Sequence, residues 1–401
     1  MDLRCSACRF LTISPIHFHS FPTIHRKTSK FTARSSLPFS PETAKYYREL
    51  QASVDVVQRA CRLCVNEQKS MFSDGGRILE KIDKTPVTIA DFGVQALVSL
   101  ELNNLFPSIP LVAEEDSAFL RSNNLVDPVV EAVINTSSLG SSQLTDIEVL
   151  EAIDRGGKRA LTFGAKPATY WVLDPIDGTR GFLRGGTALY VVGLALIVKG
   201  EIVLGVMGCP NWQEKFESKS TAIINVQEYE TSCSESGIIM IAHVGCGTWT
   251  MRLSKSVLDG RTTLPSCWTR CIIDQCCIVD KAQFCIPDSQ TWESLPFSPA
   301  LGATSDANNI GDKQIRLLPT CCGSLCKYLM VASGRASVFV LQAKAQMIIK
   351  AWDHVVGMIC VHEAGGKVTD WKGTQLDLAA DEAERRIIFP SGGILIILDP
   401  D

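Results

Sequence analysis

Trp171-Val-Leu-Asp174-Pro-Ile-Asp177-Gly-Thr179-Arg-Gly-Phe182 is the stretch that decides the fold. From Thr169 to Leu173 the chain is apolar enough for a buried strand. That run ends in two acids, Asp174 and Asp177, flanking Pro175 and Ile176. Gly178 and Thr179 then start a new element. A buried strand running into two carboxylates puts negative charge at the mouth of a core, which is costly unless a cation neutralises it. Hard oxygen ligands of this kind suit Mg²⁺. The Ile176 carbonyl, fixed by its proline neighbour, offers another oxygen. The amides of Gly178 and Thr179 can hold a phosphate oxygen if they open a helix. Taken alone, the string also fits a tight Asp-Pro turn with an Asx cap.

Two other acidic points lie at the ends of separate apolar elements. Ile109 to Ala113 reads as a short strand ending at Glu114-Glu115-Asp116. Trp352-Asp353 opens a segment rich in small and apolar residues, a helix over about Asp353 to His362, where Asp353 would otherwise serve as an N-cap. Acids at the ends of several apolar elements point to one shared site.

Around these points the chain alternates helix and strand. Tyr47, Leu50, Val54, Val57, Cys61 and Cys64 recur at helical spacing. Thr88 with Asp91 three residues on is a capping box that starts a helix to about Leu105. Residues 117–167 read as a polar surface excursion with one short helix near Asp146 to Ile153. Ala188–Val198 and Glu201–Met207 form a hairpin about Lys199-Gly200. Strands are expected at Gly237–Ala242, Cys271–Val279 and Ala336–Leu341, a helix at Ser324–Ala332, and a helix stop at Gly365-Gly366 leading into a strand. Composition shifts over 218–236, so the expected division is an N-terminal metal-binding domain over 41–220 and a C-terminal substrate-binding domain over 230–401.

The chain has 401 residues, 46% hydrophobic and 20% charged, with a formal charge of −4. This is ordinary globular composition with no basic excess of the kind a nucleic-acid binder shows. The longest apolar run, Ala188 to Val198, is broken off by Lys199 and Gly200, too short for a bilayer span. Residues 1–40 differ: they hold Arg4, Arg9, Arg26, Lys27, Lys30 and Arg34 against Asp2 alone and are rich in Ser and Thr. That composition reads as an organellar transit peptide, mitochondrial in preference to chloroplast. The sixteen Cys are irregularly spaced and build no zinc motif. Most read as small buried hydrophobes, and nothing supports a redox role for Cys276/Cys277 or Cys321/Cys322.

The Trp171–Phe182 string resembles the metal-binding signature of the inositol monophosphatase superfamily. Trp352-Asp353-His-Val-Val-Gly357 with Glu363-Ala-Gly-Gly366 resembles its second signature, and Lys81-x-Asp83-x-x-Pro86-Val-Thr88-x-Ala-Asp91 and Ala113-Glu114-Glu115 match two further landmarks, all in order. The set is similar to the 3'(2'),5'-bisphosphate nucleotidase branch, above all to its plant-type members. The resemblance implies an α/β (α+β) fold, a layered α/β/α/β/α sandwich. It implies a lithium-sensitive phosphomonoesterase that uses two to three Mg²⁺ ions to hydrolyse a small phosphorylated nucleotide, 3'-phosphoadenosine 5'-phosphate, to AMP and phosphate, and its 5'-phosphosulfate relative as a further substrate. Glu114, Asp174, the Ile176 carbonyl, Asp177 and Asp353 would hold the metals. Asp83, at a third and weaker metal, and Thr179 would activate the attacking water. Asp91 reads as a cap, and Glu115 as a support for the ligands.

Substrate contacts implied by the resemblance are Gly178, Thr179, His243, Ser324, Lys327 and Asp353. Ser324 and Lys327 lie on adjacent helical turns; Lys327 is a phosphate contact or a solvated surface lysine. His243-Val-Gly-Cys-Gly-Thr248 is a ligand loop or a plain strand exit. The sequence departs from the branch in two places. Gln342 stands where an Arg is usual, and Pro287-Asp288-Ser289 replaces a His-containing loop. An inositol phosphate phosphatase with the same metals, and an inactive phosphonucleotide-binding relative, are the alternatives.

Overall fold

A computed structural model describes residues 37–73, 79–81, 85–138, 144–157, 169–213, 237–253, 258, 267–287, 289–295, 316–342, 349–376, 386–387 and 393–398. In chain order, helix α1 (Tyr47–Ser73) precedes a small hairpin of β1 (Leu79–Glu80) and β2 (Pro86–Val87) and helix α2 (Ile89–Leu105). Strand β3 (Leu111–Ala113) leads to α3 (Ser117–Asn123), α4 (Val126–Ile134) and α5 (Asp146–Gly156). Strand β4 (Tyr170–Asp177) is followed by α6 (Thr179–Arg184), β5 (Val191–Val198), β6 (Glu201–Cys209), β7 (Ile238–His243), β8 (Gly247–Arg252) and β9 (Thr269–Cys271). Then come β10 (Gln283–Pro287), β11 (Arg316–Thr320), α7 (Ser324–Ala332) and β12 (Val338–Gln342). The remainder is β13 (Ile349–Lys350), α8 (Val355–His362), β14 (Gly366–Asp370), β15 (Arg386–Ile387) and β16 (Gly393–Leu398).

Two sheets organise the chain. The first has seven strands in the order β3-β4-β5-β6-β7-β8-β9, and the second has five in the order β11-β10-β12-β16-β14. Strand β5 shows why the sequence reads as an unbroken apolar run. Val192, Leu194 and Leu196 join the core beneath α1 and α2, while Val191, Ala195 and Ile197 join the core beneath α7 and α8. Successive side chains of a strand face opposite ways, so a strand covered on both faces must be apolar at every position. α7 and α8 also pack on the second sheet, which gives a layered α/β sandwich. On the outer face of that sheet the described residues supply a 3₁₀ turn at Trp292–Ser294, with Trp292 packed on Phe284.

The local signals for several elements are met. Thr88 and Asp91 form the capping box, with the Thr88 amide and hydroxyl donating to Asp91 Oδ2 at 2.7 and 2.6 Å. The 199–200 hairpin pairs β5 with β6, and Lys199 and Gly200 both hold positive φ there, 53° and 85°. Cys61, Cys64, Cys209, Cys285, Cys326 and Cys360 are buried free thiols, as small hydrophobes would be.

Elsewhere the structure corrects the reading. The 117–167 excursion holds three helices among the described residues, not one, and they build a core of their own with α2 around Phe92, Leu120, Val129 and Ile153. These helices are short, with 7, 9 and 11 residues, so each shows its pattern over only two or three turns. The strand expected at Cys271–Val279 stops at Cys271, and Ile272 is exposed. Helix α8 starts at Val355, with His354 rather than Asp353 in the capping position. The C-terminal segment is an interior strand: β16 pairs antiparallel with both β12 and β14. The expected boundary over 220–230 and residues 1–36 of the leader lie outside the described residues. β6 and β7, on either side of that boundary, pair within one sheet.

Candidate metal centre

Residues three apart on a regular strand face opposite sides of a sheet. Asp174 and Asp177 would therefore diverge if β4 were regular. It is not: pairing with β5 runs Asp174↔Gly193 and then Asp177↔Val191, with a register shift between them. That irregularity breaks the alternation and lets both carboxyls meet on one side. Asp353, from the turn before α8, closes the group. One oxygen from each of Asp174, Asp177 and Asp353 lies within 4.8 Å of the others. Glu114 enters from β3, which runs parallel to β4 with Ala113 opposite Leu173, so Glu114 follows at the level of Asp174.

The electrostatics are those of a cation site. Both Asp174 oxygens are buried and meet no N–H or hydroxyl donor, only the neighbouring Asp353 carboxyl. Burial, then the charges of Asp177, Glu114 and Asp353, push the Asp174 carboxyl far above the carboxylate range. Burial and the charges of Asp177 and Glu114 do the same to Asp353. Two buried carboxyls and a half-buried third, with no N–H or hydroxyl donor at Asp174, are a poor stabilising device and a fitting donor set for a hard divalent cation.

Asp177 is held differently. Its Oδ1 accepts the Ser324 amide at 2.9 Å and its Oδ2 the Leu325 amide at 2.7 Å, both from the first turn of α7. Burial raises its carboxyl to about 6, against the lowering pull of the Lys327 charge and these amides. The approach depends on two glycines. A Cβ on Gly323 would collide with the Asp177 carboxylate, and Gly178, at φ 88°, would place one 2.8 Å from the Gly323 nitrogen.

A second group lies beside Glu114. Lys81 Nζ donates to Glu114 Oε1 at 2.8 Å and to Glu115 Oε1 at 2.6 Å. Glu115 is buried, and burial raises its carboxyl well above the usual range despite the Lys81 charge. Asp91, raised by burial to about 6, does more than cap α2. The Thr179 hydroxyl lies 3.3 Å from Asp91 Oδ1 and 3.2 Å from the Ile176 carbonyl oxygen. Its single proton can serve one of them at a time. Asp83 lies outside the described residues.

The expected substrate contacts fare unevenly. Ser324 is at the centre through its amide. Lys327 is neither a surface lysine nor a free cation: it is fully buried, and its ammonium donates to the Cys322 carbonyl and, at 2.8 Å, to the Gly323 carbonyl. His243 is taken up by the fold as well. Its Nδ1 meets the Val244 carbonyl at 2.9 Å, its Nε2 accepts the Tyr46 amide at 3.3 Å, and Phe39 and Tyr46 pack on its ring. The 243–248 loop is a hairpin turn whose Gly245 and Gly247 amides donate to the Glu363 carboxylate at 2.9 and 2.8 Å. The backbone of Gln342 is clasped by the Gln290 amide, with Nε2 donating to the Gln342 carbonyl at 2.9 Å.

Sequence reasoning missed the Gly323–Leu325 clamp, the Asp91–Thr179 contact and the Lys81 bridge. Gly323-Ser324 at a helix start was the available signal for the first, because such a terminus presents free amides to an anion.

Fold and site together define a class. The sequence profile of the inositol monophosphatase family matches residues 42–255 and 288–393, and the chain belongs to that family. A mitochondrial protein of Arabidopsis thaliana assigned as a 3'(2'),5'-bisphosphate nucleotidase is 58% identical over 98% of this chain and 93% of its own. The 3',5'-bisphosphate nucleotidase AHL of the same plant is 34% identical over 86% of this chain and 93% of its own. Among solved structures, CysQ from Bacteroides thetaiotaomicron, a bacterial member of the family, matches with TM-score 0.49 and 18% identity over 88% of this chain and 98% of its own.

Proposed function

We propose that this protein is a magnesium-dependent 3'(2'),5'-bisphosphate nucleotidase that hydrolyses 3'-phosphoadenosine 5'-phosphate to AMP and phosphate. One observation carries the reading: the buried Asp174 and Asp177 and the half-buried Asp353 converge on one point, in a chain 58% identical to a protein named as a 3'(2'),5'-bisphosphate nucleotidase. Glu114, Asp174, the Ile176 carbonyl, Asp177 and Asp353 would hold two to three Mg²⁺ ions. When bound, such ions lower the pKa of coordinated water and offset charge on phosphoryl oxygens.

The remaining chemistry belongs to the chain. Asp83 accepts the proton of the attacking water, and Thr179 Oγ1 orients it. The Asp91 carboxyl and the Ile176 carbonyl limit where the Thr179 hydroxyl can point. The Ser324 and Leu325 amides fix Asp177, so a ligand oxygen does not have to be ordered during turnover. Lys327 acts by holding the 322–323 backbone and lending charge near Asp177, not by touching phosphate. Residues 1–40 act as a mitochondrial leader. A reporter fused to them that stayed cytosolic would reject that role.

Phosphate release from the protein lacking residues 1–40 tests the activity. Magnesium-dependent release from 3'-phosphoadenosine 5'-phosphate, inhibited by lithium and faster than from inositol 1-phosphate, is the expected result. Preference for the inositol ester would overturn the substrate assignment and keep the metal chemistry. No release from either would reject the enzyme reading.

A further inference from the structure

The three acids of the centre are not held alike. Asp177 accepts two amides from the first turn of α7. The Asp353 carboxyl shares a hydrogen bond with that of Asp174 and, among the described residues, takes none from an N–H. Its direction therefore depends on its backbone. Asp353 is the third residue of a turn that closes where the His354 amide donates to the Ala351 carbonyl at 3.1 Å. His354 ends that turn at φ −133° and ψ −40°, outside the helix that starts at Val355, so α8 does not fix it.

Tyr328 of α7 holds the His354 ring. Both side chains are buried. The phenol oxygen lies 3.2 Å from His354 Nδ1, and the two rings meet edge to face with centroids 5.8 Å apart. Burial keeps both groups neutral, pushing the imidazole down to about 3 and the phenol well above its usual range. A phenol and a neutral imidazole can share a hydrogen bond in either tautomer. Packing fixes the phenol in turn. Its ring meets Phe339 of β12 edge on, with centroids 5.7 Å apart, and a Cβ on Gly357 of α8 would lie 2.2 Å from its Cγ.

Tyr328 stands one turn beyond Ser324 on α7. One stretch of α7 therefore serves two acids. Its first amides hold Asp177, and its Tyr328 hydroxyl, through His354, holds the turn that carries Asp353. The charges of Asp353 and Asp177 add to the effect of burial on the phenol, so it lies close to both.

We propose that Tyr328 is a positioning residue for metal binding: its hydroxyl acts through His354 to keep the Asp353 carboxyl turned toward Asp174 and Asp177. The inference rests on the reading of the acidic centre as a metal site. Groups that orient metal ligands from outside typically contribute about ten- to a hundredfold in metal affinity or activity.

The test uses the full chain with Mn²⁺ as the probe, and binding is read by electron paramagnetic resonance without substrate. Tyr328→Phe keeps the ring and removes only the hydroxyl. It is expected to bind Mn²⁺ about tenfold more weakly than wild type, or weaker still. The magnesium needed for half-maximal turnover should rise in step, with KM for the nucleotide unchanged at saturating magnesium. A role in folding alone would lower the melting temperature and move neither metal reading. In a His354→Leu background, Tyr328→Phe should have no further effect on Mn²⁺ affinity, because its route is gone. Wild-type Mn²⁺ affinity in Tyr328→Phe would overturn this proposal and leave the metal site standing. An undiminished loss in the His354→Leu background would overturn the route through His354. No Mn²⁺ bound by wild type would reject the metal site itself, and this inference with it.

Discussion

Gly323 stands so close to Asp177 that a single added carbon on it would strike the carboxylate. Its φ is −56°, a value any residue adopts, so the glycine is required for space and not for backbone freedom. Gly323→Ala should therefore move Asp177 or the first turn of α7. We expect a cost of roughly 1–3 kcal/mol in stability by overpacking. A displacement near 1 Å at a reacting centre costs about a hundredfold in rate. Denaturant unfolding and kcat of the variant check both, and a variant with wild-type kcat would show that Asp177 is not held for turnover.

Asp174 and Asp353 make the second prediction. Asp174→Asn and Asp353→Asn should each lower turnover by more than about a hundredfold, since even outer partners of metal ligands cost that much. In chelator the same variants should be more stable than wild type by on the order of 1 kcal/mol, because each removes one of several buried, mutually repelling acids. Unfolding in urea at pH 8 reads the second effect. Destabilised variants in chelator would contradict a cation site.

The pH dependence follows from Asp177 and its neighbours. Burial raises the folded-state carboxyl of Asp177 to about 6 from its ordinary 3.8, so the folded state holds the proton more tightly than the unfolded one. Stability of the chelated protein then falls as pH rises between those values, and the full penalty is present above about 6. Asp174 and Asp353, raised further, extend the fall upward. Magnesium should remove most of it. The check is the melting temperature from pH 4 to 8 with magnesium minus that with chelator, a gap expected to widen with pH.

Lys81 bridges a half-buried acid, Glu114, and a buried one, Glu115. Lys81→Met leaves Glu115 buried beside a like charge, and breaking such a pair costs about 3–5 kcal/mol. Lys81→Met with Glu115→Gln should recover most of that loss. A double-mutant cycle in denaturant measures the coupling, and a double variant no better than the single one would show that Glu115 is not the group at stake.

Glu363 ties the end of α8 to the β7–β8 turn through two amides. Glu363→Ala should cost about 1–3 kcal/mol, chiefly by leaving the amide of buried Gly247 without its acceptor. Hydrogen exchange at Gly245 and Gly247 should rise in the variant. Unchanged protection there would refute the tie.

Much of this protein is legible in the sequence because it is local. The capping box of Thr88 and Asp91, the turn at Lys199-Gly200, the apolar run of β5 and the acids at strand ends all express preferences that neighbouring residues enforce. The sequence by itself therefore determined those elements, the acidic character of the centre and its call for a cation. Tertiary structure decided which acids meet. The irregular pairing of β4 with β5 turns Asp174 and Asp177 to one side, and packing of α8 brings in Asp353 from far downstream. Packing also decided the fates of Lys327 and His243. Each is a polar side chain that the sequence offers to a ligand and the fold consumes, because a buried ammonium or imidazole must find partners where it lies, and backbone groups were nearer than any substrate.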